Sequence, residues 1–220
     1  MKIDYHWNQA DYAITSQPHF HLIINTKVRF LLSAQQATHE MTAIPSIACL
    51  GVIGKNNNPL HITIFPSAPN NTPLRTPLQY SLLLSSTLDI FEARSKINTN
   101  SGGGLSGDFG LLHAVDERLA AYGFETNTGV RLVAVVDMRG RIVSGGNQGA
   151  GGGLGLREGE MKLVFRAMQA AYVQLLQNPF FDPDEHSPPT GRGGKKITSK
   201  KFGDDMRRIG ENWMPGPGST

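Results

Sequence analysis

A chain of 220 residues, 39% hydrophobic and 18% charged, is long enough for one domain with a substantial core plus appendages, and two complete domains would be a squeeze. A net charge of +3 and an aromatic content of 8% supply no stacking platform for single-stranded nucleic acid and call for no nucleic-acid partner. The lone cysteine, Cys49, excludes an internal disulfide framework and any paired-cysteine zinc or redox site, and no apolar run reaches the roughly 18 residues that span a bilayer, so the chain is expected to be cytoplasmic.

Residues 1–40 mix His, Gln and aromatic residues without a sustained period and are expected to form an appendage dispensable for folding. From Met41 the pattern changes. Ser46–Ile53 and Leu60–Phe65 are short apolar runs around the turn-rich Gly54–Pro59, which predicts a β-hairpin. Leu78–Ile97 then carries Tyr80, Leu83, Leu84, Leu88 and Phe91 at near-helical spacing. Three strand-like runs follow, Phe109–Val115, Leu119–Thr126 and Val130–Val136, with links too short for parallel crossovers. A second helix is marked by the stripe Met161, Val164, Phe165, Met168, Tyr172, Leu175 and Leu176, and Asn178-Pro179 ends it. A last helix places Phe202, Met206, Ile209 and Trp213 on one face behind a Ser199 cap. The predicted fold class is α+β, in the order ββαβββαα: a five-stranded antiparallel sheet with helices on both faces. One domain spans 41–214, with glycine-rich insertions at 99–107 and 139–157 and a tail at 215–220.

Chemistry-bearing motifs are few. Gly102, Gly104 and Gly107 match the glycine fingerprint of dinucleotide sites, and Asp108-Phe109-Gly110 spells the kinase magnesium motif. The fingerprint works only where a strand feeds a glycine turn that opens a helix, whose amides hold the pyrophosphate; here the segment leaves a helix and enters a strand. Kinase signatures around the second motif are absent. The 145–156 glycine loop does precede a helix but lacks the lysine and hydroxyl residue that grip phosphate and magnesium, so a nucleotide-binding enzyme built on it stands as the rival class. The seven histidines form no helical ligand pair; His19 and His21 are close in sequence only. Cys49 sits in an apolar run as an inert thiol, and Glu158 and Glu160 suit a helix start. No catalytic, cofactor or metal site assembles. The basic run Arg192, Lys195, Lys196, Lys200, Lys201, Arg207 and Arg208 reads first as a solvated linker and helix face, with an anionic membrane surface or an acidic partner as the alternative.

Several segments together resemble one family. Thr87-Leu88-Asp89 late in the first helix, Leu111 and Leu112 before the acidic Asp116-Glu117 turn, Tyr122-Gly123 with Asn127, and Asn178-Pro179-Phe180 are similar to the TRAPP complex subunit 2-like proteins, relatives of sedlin, over about 46–210. The resemblance implies a longin-like fold and a non-enzymatic subunit of a TRAPP-type tethering and Rab guanine-nucleotide-exchange complex. It further implies small and large TRAPP subunits as partners, Rab-family GTPases indirectly, and peripheral contact with ER-Golgi and Golgi membranes through the complex. Sedlin-type subunit 2 itself is the nearest alternative. Asp89 matches an acidic position that bears on engagement of larger subunits in sedlin-like proteins, which makes it the candidate partner-binding residue. The other readings of Asp89 are a solvent-facing residue beside Ser85, Ser86 and Glu92, or an internal ion pair with a basic residue.

Overall fold

The computed structural model describes residues 41–100, 107–144, 156 and 158–216. Five strands form one sheet: β1 (Met41–Ile53), β2 (Pro59–Ile64), β3 (Asp108–Ala114), β4 (Leu119–Glu125) and β5 (Arg131–Ser144). Their spatial order is β2-β1-β5-β4-β3, and every neighbouring pair is antiparallel. Helix α1 (Pro77–Asn100) connects β2 to β3, and α2 (Glu158–Leu176), the single-turn α3 (Pro183–His186) and α4 (Lys200–Asn212) follow the sheet. The α+β architecture and the ββαβββαα order are as predicted, with α3 added between the last two helices.

Helices cover the sheet on both faces because its central strands are apolar on both. Along β5, Leu132, Ala134 and Val136 join the larger core with α2 and α4, whereas Val133 and Val135 join a second core under α1. That is the period-2 alternation of a strand, applied to a run with no polar face. In β1 the alternation breaks: Ala48 and Cys49 both point to the α1 side. A register shift between Ile47 and Cys49 accounts for it, since a bulge inserts one residue and re-aims the next. Cys49 is fully buried, and loss of hydration pushes its thiol up to about 12, which keeps it protonated and inert.

The elements are longer than the sequence pattern suggests. β5 continues through Asp137 to Ser144, where Ala43 and Ile44 of β1 pair with Ile142 and Arg141, so residues 139–144 are strand and not the start of a glycine insertion. Likewise α1 runs to Asn100, two residues into the first insertion. Residues 1–40 and 145–155, on which the appendage and the second glycine loop fall, lie outside the described residues.

Helix α2 places Met161, Val164, Phe165, Met168, Tyr172 and Leu175 in the larger core, whereas Leu176, counted in the same stripe from sequence, is exposed. Helix α4 begins as expected, with the Ser199 hydroxyl accepting the Phe202 amide, and buries Phe202 and Met206. The Phe165 ring is 1% exposed and stacks on Phe124 with centroids 5.9 Å apart. Phe165→Ala is expected to lose about 3–5 kcal/mol through lost burial and a residual cavity, read as a lower denaturant midpoint at unchanged slope. An unchanged midpoint would place this face of α2 outside the core.

Candidate partner-binding surface

The position of Asp89 is set by how α1 seats on the sheet. Tyr80, Leu84, Thr87 and Phe91 form the buried stripe of α1, at spacings of one helical turn. Two glycines let the helix approach closely: a Cβ on Gly51 would lie 2.6 Å from Leu84 Cδ1, and one on Gly123 would lie 2.5 Å from Phe91 Cζ. The Arg131 guanidinium stands 5.5 Å from the Phe91 ring centroid and closes the same contact from the side. With 100° of turn per residue, Asp89 lies about 200° from both Thr87 and Phe91 and points to solvent. It is exposed together with Ser85, Ser86 and Glu92.

The hydroxyl residues of this helix are occupied locally. Ser81, Ser85, Ser86 and Thr87 each donate to a carbonyl three or four residues earlier, so they satisfy themselves on their own helix. Asp89 is different: it forms no hydrogen bond or ion pair among the described residues. The internal pair with a basic residue is therefore not formed by any of them. Leu78 and Leu82, 69% and 62% exposed, lie on the same outward side, eleven and seven residues before Asp89. The surface of α1 thus joins two exposed leucines to an unpaired carboxylate. The sequence pattern missed the leucines, because Leu82, Leu83 and Leu84 are consecutive and only packing shows which faces outward.

Of the other motif residues, His19, His21, Gly102 and Gly104 lie outside the described residues. Asp108 accepts the Gly110 amide at 3.0 Å, and its other oxygen lies 3.5 Å from Lys162 Nζ, so the magnesium-like motif serves a strand entrance at a residue with φ of 60°. The flanks of the first glycine segment are α1 and β3, so the chain there runs from helix into strand, opposite to a dinucleotide site. No group of three or more His, Cys, Asp or Glu among the described residues is placed to hold a metal ion. No described helix is long and apolar enough to cross a membrane. Within the basic run, Lys195 pairs with Glu185, Arg207 with Asp204 and Arg208 with Asp205.

One polar cluster was not anticipated. Asp137 is fully buried, and Arg118 donates to it twice, through Nε at 2.7 Å and through a terminal nitrogen at 2.8 Å. The Ser67 hydroxyl and the Arg139 amide also donate to Asp137, and Arg118 reaches the Ala68 carbonyl at 2.8 Å. The cluster fastens the connector after β2 to the sheet.

Comparison with known proteins is informative once this geometry is in hand. The family model described as Sedlin matches residues 52–212, from β1 to the end of α4. This chain belongs to the sedlin family. Among its relatives, the Dictyostelium discoideum trafficking protein particle complex subunit 2-like protein is 27% identical over 158 residues, covering 71% of this chain and 90% of that protein. The mouse protein of the same name is 28% identical, covering 70% and 89%, and that of Xenopus tropicalis is 26% identical, covering 62% and 84%. The sedlin-family match thus takes in the last two residues of β1, all of β2 to β5 and every helix among the described residues.

His61 connects the family core to solution conditions. Its ring packs edge-on against Phe202 at 5.1 Å, its Nε2 meets the Thr63 hydroxyl at 2.8 Å, and burial lowers its pKa below 6.5. The folded state therefore binds fewer protons at His61 than the unfolded chain. Its contribution to stability is full above pH 6.5 and is lost as pH falls from there toward the folded value. The expected result is a melting temperature whose decline below pH 6.5 is shallower in His61→Gln than in the unaltered chain; parallel profiles would show that His61 titrates alike in both states.

Proposed function

We propose that this sedlin-family chain is a non-enzymatic subunit of a TRAPP-type vesicle-tethering and Rab guanine-nucleotide-exchange complex, and that it aids assembly of that complex in ER-to-Golgi and Golgi traffic. The observation that carries the reading is the match to subunit 2-like relatives across 89–90% of the Dictyostelium and mouse proteins' own length. The outward face of α1 supports it as well, because it exposes Leu78, Leu82 and Asp89. Other small and large TRAPP subunits are the partners in this reading, Rab-family GTPases are reached through them, and the chain meets membranes peripherally, through the complex. Purification of the tagged chain from its own cells, with identification of co-purifying proteins, tests it: recovery of TRAPP subunits is expected, and their consistent absence would overturn it.

Within that complex, Asp89 serves as the docking residue on the outer face of α1. An exposed side chain without an internal partner contributes little to folding, and a substitution there stays within about 0.5 kcal/mol. At an interface, removing one member of a desolvated charge pair costs about 2–5 kcal/mol. Asp89→Ala is expected to melt like the unaltered chain yet recover far less of the partner subunits. Undiminished recovery would remove the docking role. A melting temperature lowered by about 10 °C, roughly 3 kcal/mol for a domain of this size, would return Asp89 to an internal structural role.

ATP, GTP or NAD should leave the melting curve unmoved. A ligand at one hundred times its dissociation constant stabilises by about 2.7 kcal/mol. A reproducible upward shift would replace the tethering reading with a nucleotide-binding one and point to residues 145–156.

A further inference from the structure

Two adjacent phenylalanines at the end of α2 meet opposite fates. Phe181 packs against the larger core, and its ring stacks on His186 with centroids 4.4 Å apart and planes 10° apart. His186 is in turn held by the Lys195 carbonyl at 2.7 Å from its Nδ1, and its own carbonyl accepts from Asn58 at 2.8 Å. Phe180, one residue earlier, is 94% exposed. A helix stop needs Asn178 and Pro179; it has no use for a phenyl ring in water.

The turn that presents Phe180 is closed twice. The Phe181 amide donates to the Asn178 carbonyl at 3.0 Å, a β-turn with Pro179 second and Phe180 third, and the Phe180 amide donates to Asn178 Oδ1 at 3.1 Å. Asn178, Pro179 and Phe180 are all exposed. On the last turns of α2, Val173 and Leu176 are 45% and 38% exposed. Beyond the turn come Asp182, Asp184 and Glu185. Glu185 pairs with Lys195, and neither Asp182 nor Asp184 has an ion pair among the described residues.

We propose that the Asn178-Pro179-Phe180 turn is a preformed ligand for a protein module that reads Asn-Pro-Phe turns, one with a phenylalanine-sized apolar pocket rimmed by Lys or Arg. The pocket would take the Phe180 ring as its anchor, and aromatic side chains in closed pockets dominate binding energy. The turn is already ordered and stapled to the core by Phe181, so binding does not have to order it. The unpaired Asp182 and Asp184 supply the charge that a basic rim complements, and they disfavour the alternative in which Phe180 dips into an anionic membrane.

The test titrates the full chain with a recombinant EH domain, a module whose ligands are Asn-Pro-Phe turns, in parallel with sedimentation against phosphatidylserine-containing vesicles. Saturable binding to the domain is expected, with Phe180→Ala weakening it by about thirtyfold while leaving the melting temperature unchanged. Asp184→Lys should weaken it less, with the difference shrinking at high salt. Absence of saturable binding would overturn the proposal, as would equal binding by Phe180→Ala. A melting temperature several degrees lower in Phe180→Ala would assign the ring to the fold instead, and Phe180-dependent sedimentation with vesicles alone would assign it to a lipid surface.

Discussion

The pairing of β1 with β5 is the constraint on which the rest of the architecture depends. These two strands form the middle of the sheet, and both of their faces are apolar, so neither face can be left to water. One helix on one side and two on the other follow directly. Tyr80, Leu84 and Phe91 close the α1 side, and Phe165, Met168, Phe202 and Met206 close the other. Burial of each such side chain contributes about 1.5–3 kcal/mol, which makes the cover a requirement of stability. The outward face of α1, with Asp89 and the two leucines, is what remains once that requirement is met.

Asp137 shows how the central pair is carried past the apolar run. A buried carboxylate would cost several kcal/mol if unpaired, and the two-pronged contact with Arg118 together with the Ser67 and Arg139 donors offsets that cost. Its value lies in position more than in net energy. It stands where the β1–β5 register shifts, with Ser46 opposite Asp137 and Ile44 opposite Arg141, and it holds the chain between β2 and α1 against the sheet. Arg75, further along that connector, pairs with Asp116 at 2.7 Å in the β3–β4 turn. The start of α1 is thereby fixed from two sides.

Legibility in the sequence followed the strength of each periodic signal. Helix α4 was readable down to its cap, because Phe202, Met206, Ile209 and Trp213 recur on one face of an otherwise charged segment. Helix α1 was readable as a helix but not in its orientation, because leucine occurs all around it and the buried Thr87 looks polar. The end of β5 was hidden for a related reason. Asp137 with Arg139 and Arg141 resembles a solvated turn, and only the partner residues Arg118 and Ser67, remote in sequence, make strand continuation affordable. Asp89 stood out as a charge in an apolar and hydroxyl-rich run, and its exposure agrees with that contrast. Phe180 carried no periodic signal, since an aromatic after a helix stop is as readily buried as exposed, and its neighbour Phe181 took the buried place.

The same central pairing bears on how the chain is made. Leu50 meets Ala134 and Val52 meets Leu132, so the middle of the sheet joins segments from distant parts of the sequence. At roughly 5–20 residues per second, a ribosome delivers β5 several seconds after β1. During that interval the β1–β2 hairpin has a bare strand edge and two apolar faces, with α1 able to shelter one of them. Nascent chains arrested before Val130 should therefore be the stage at which holding chaperones are engaged, and release should coincide with emergence of β5.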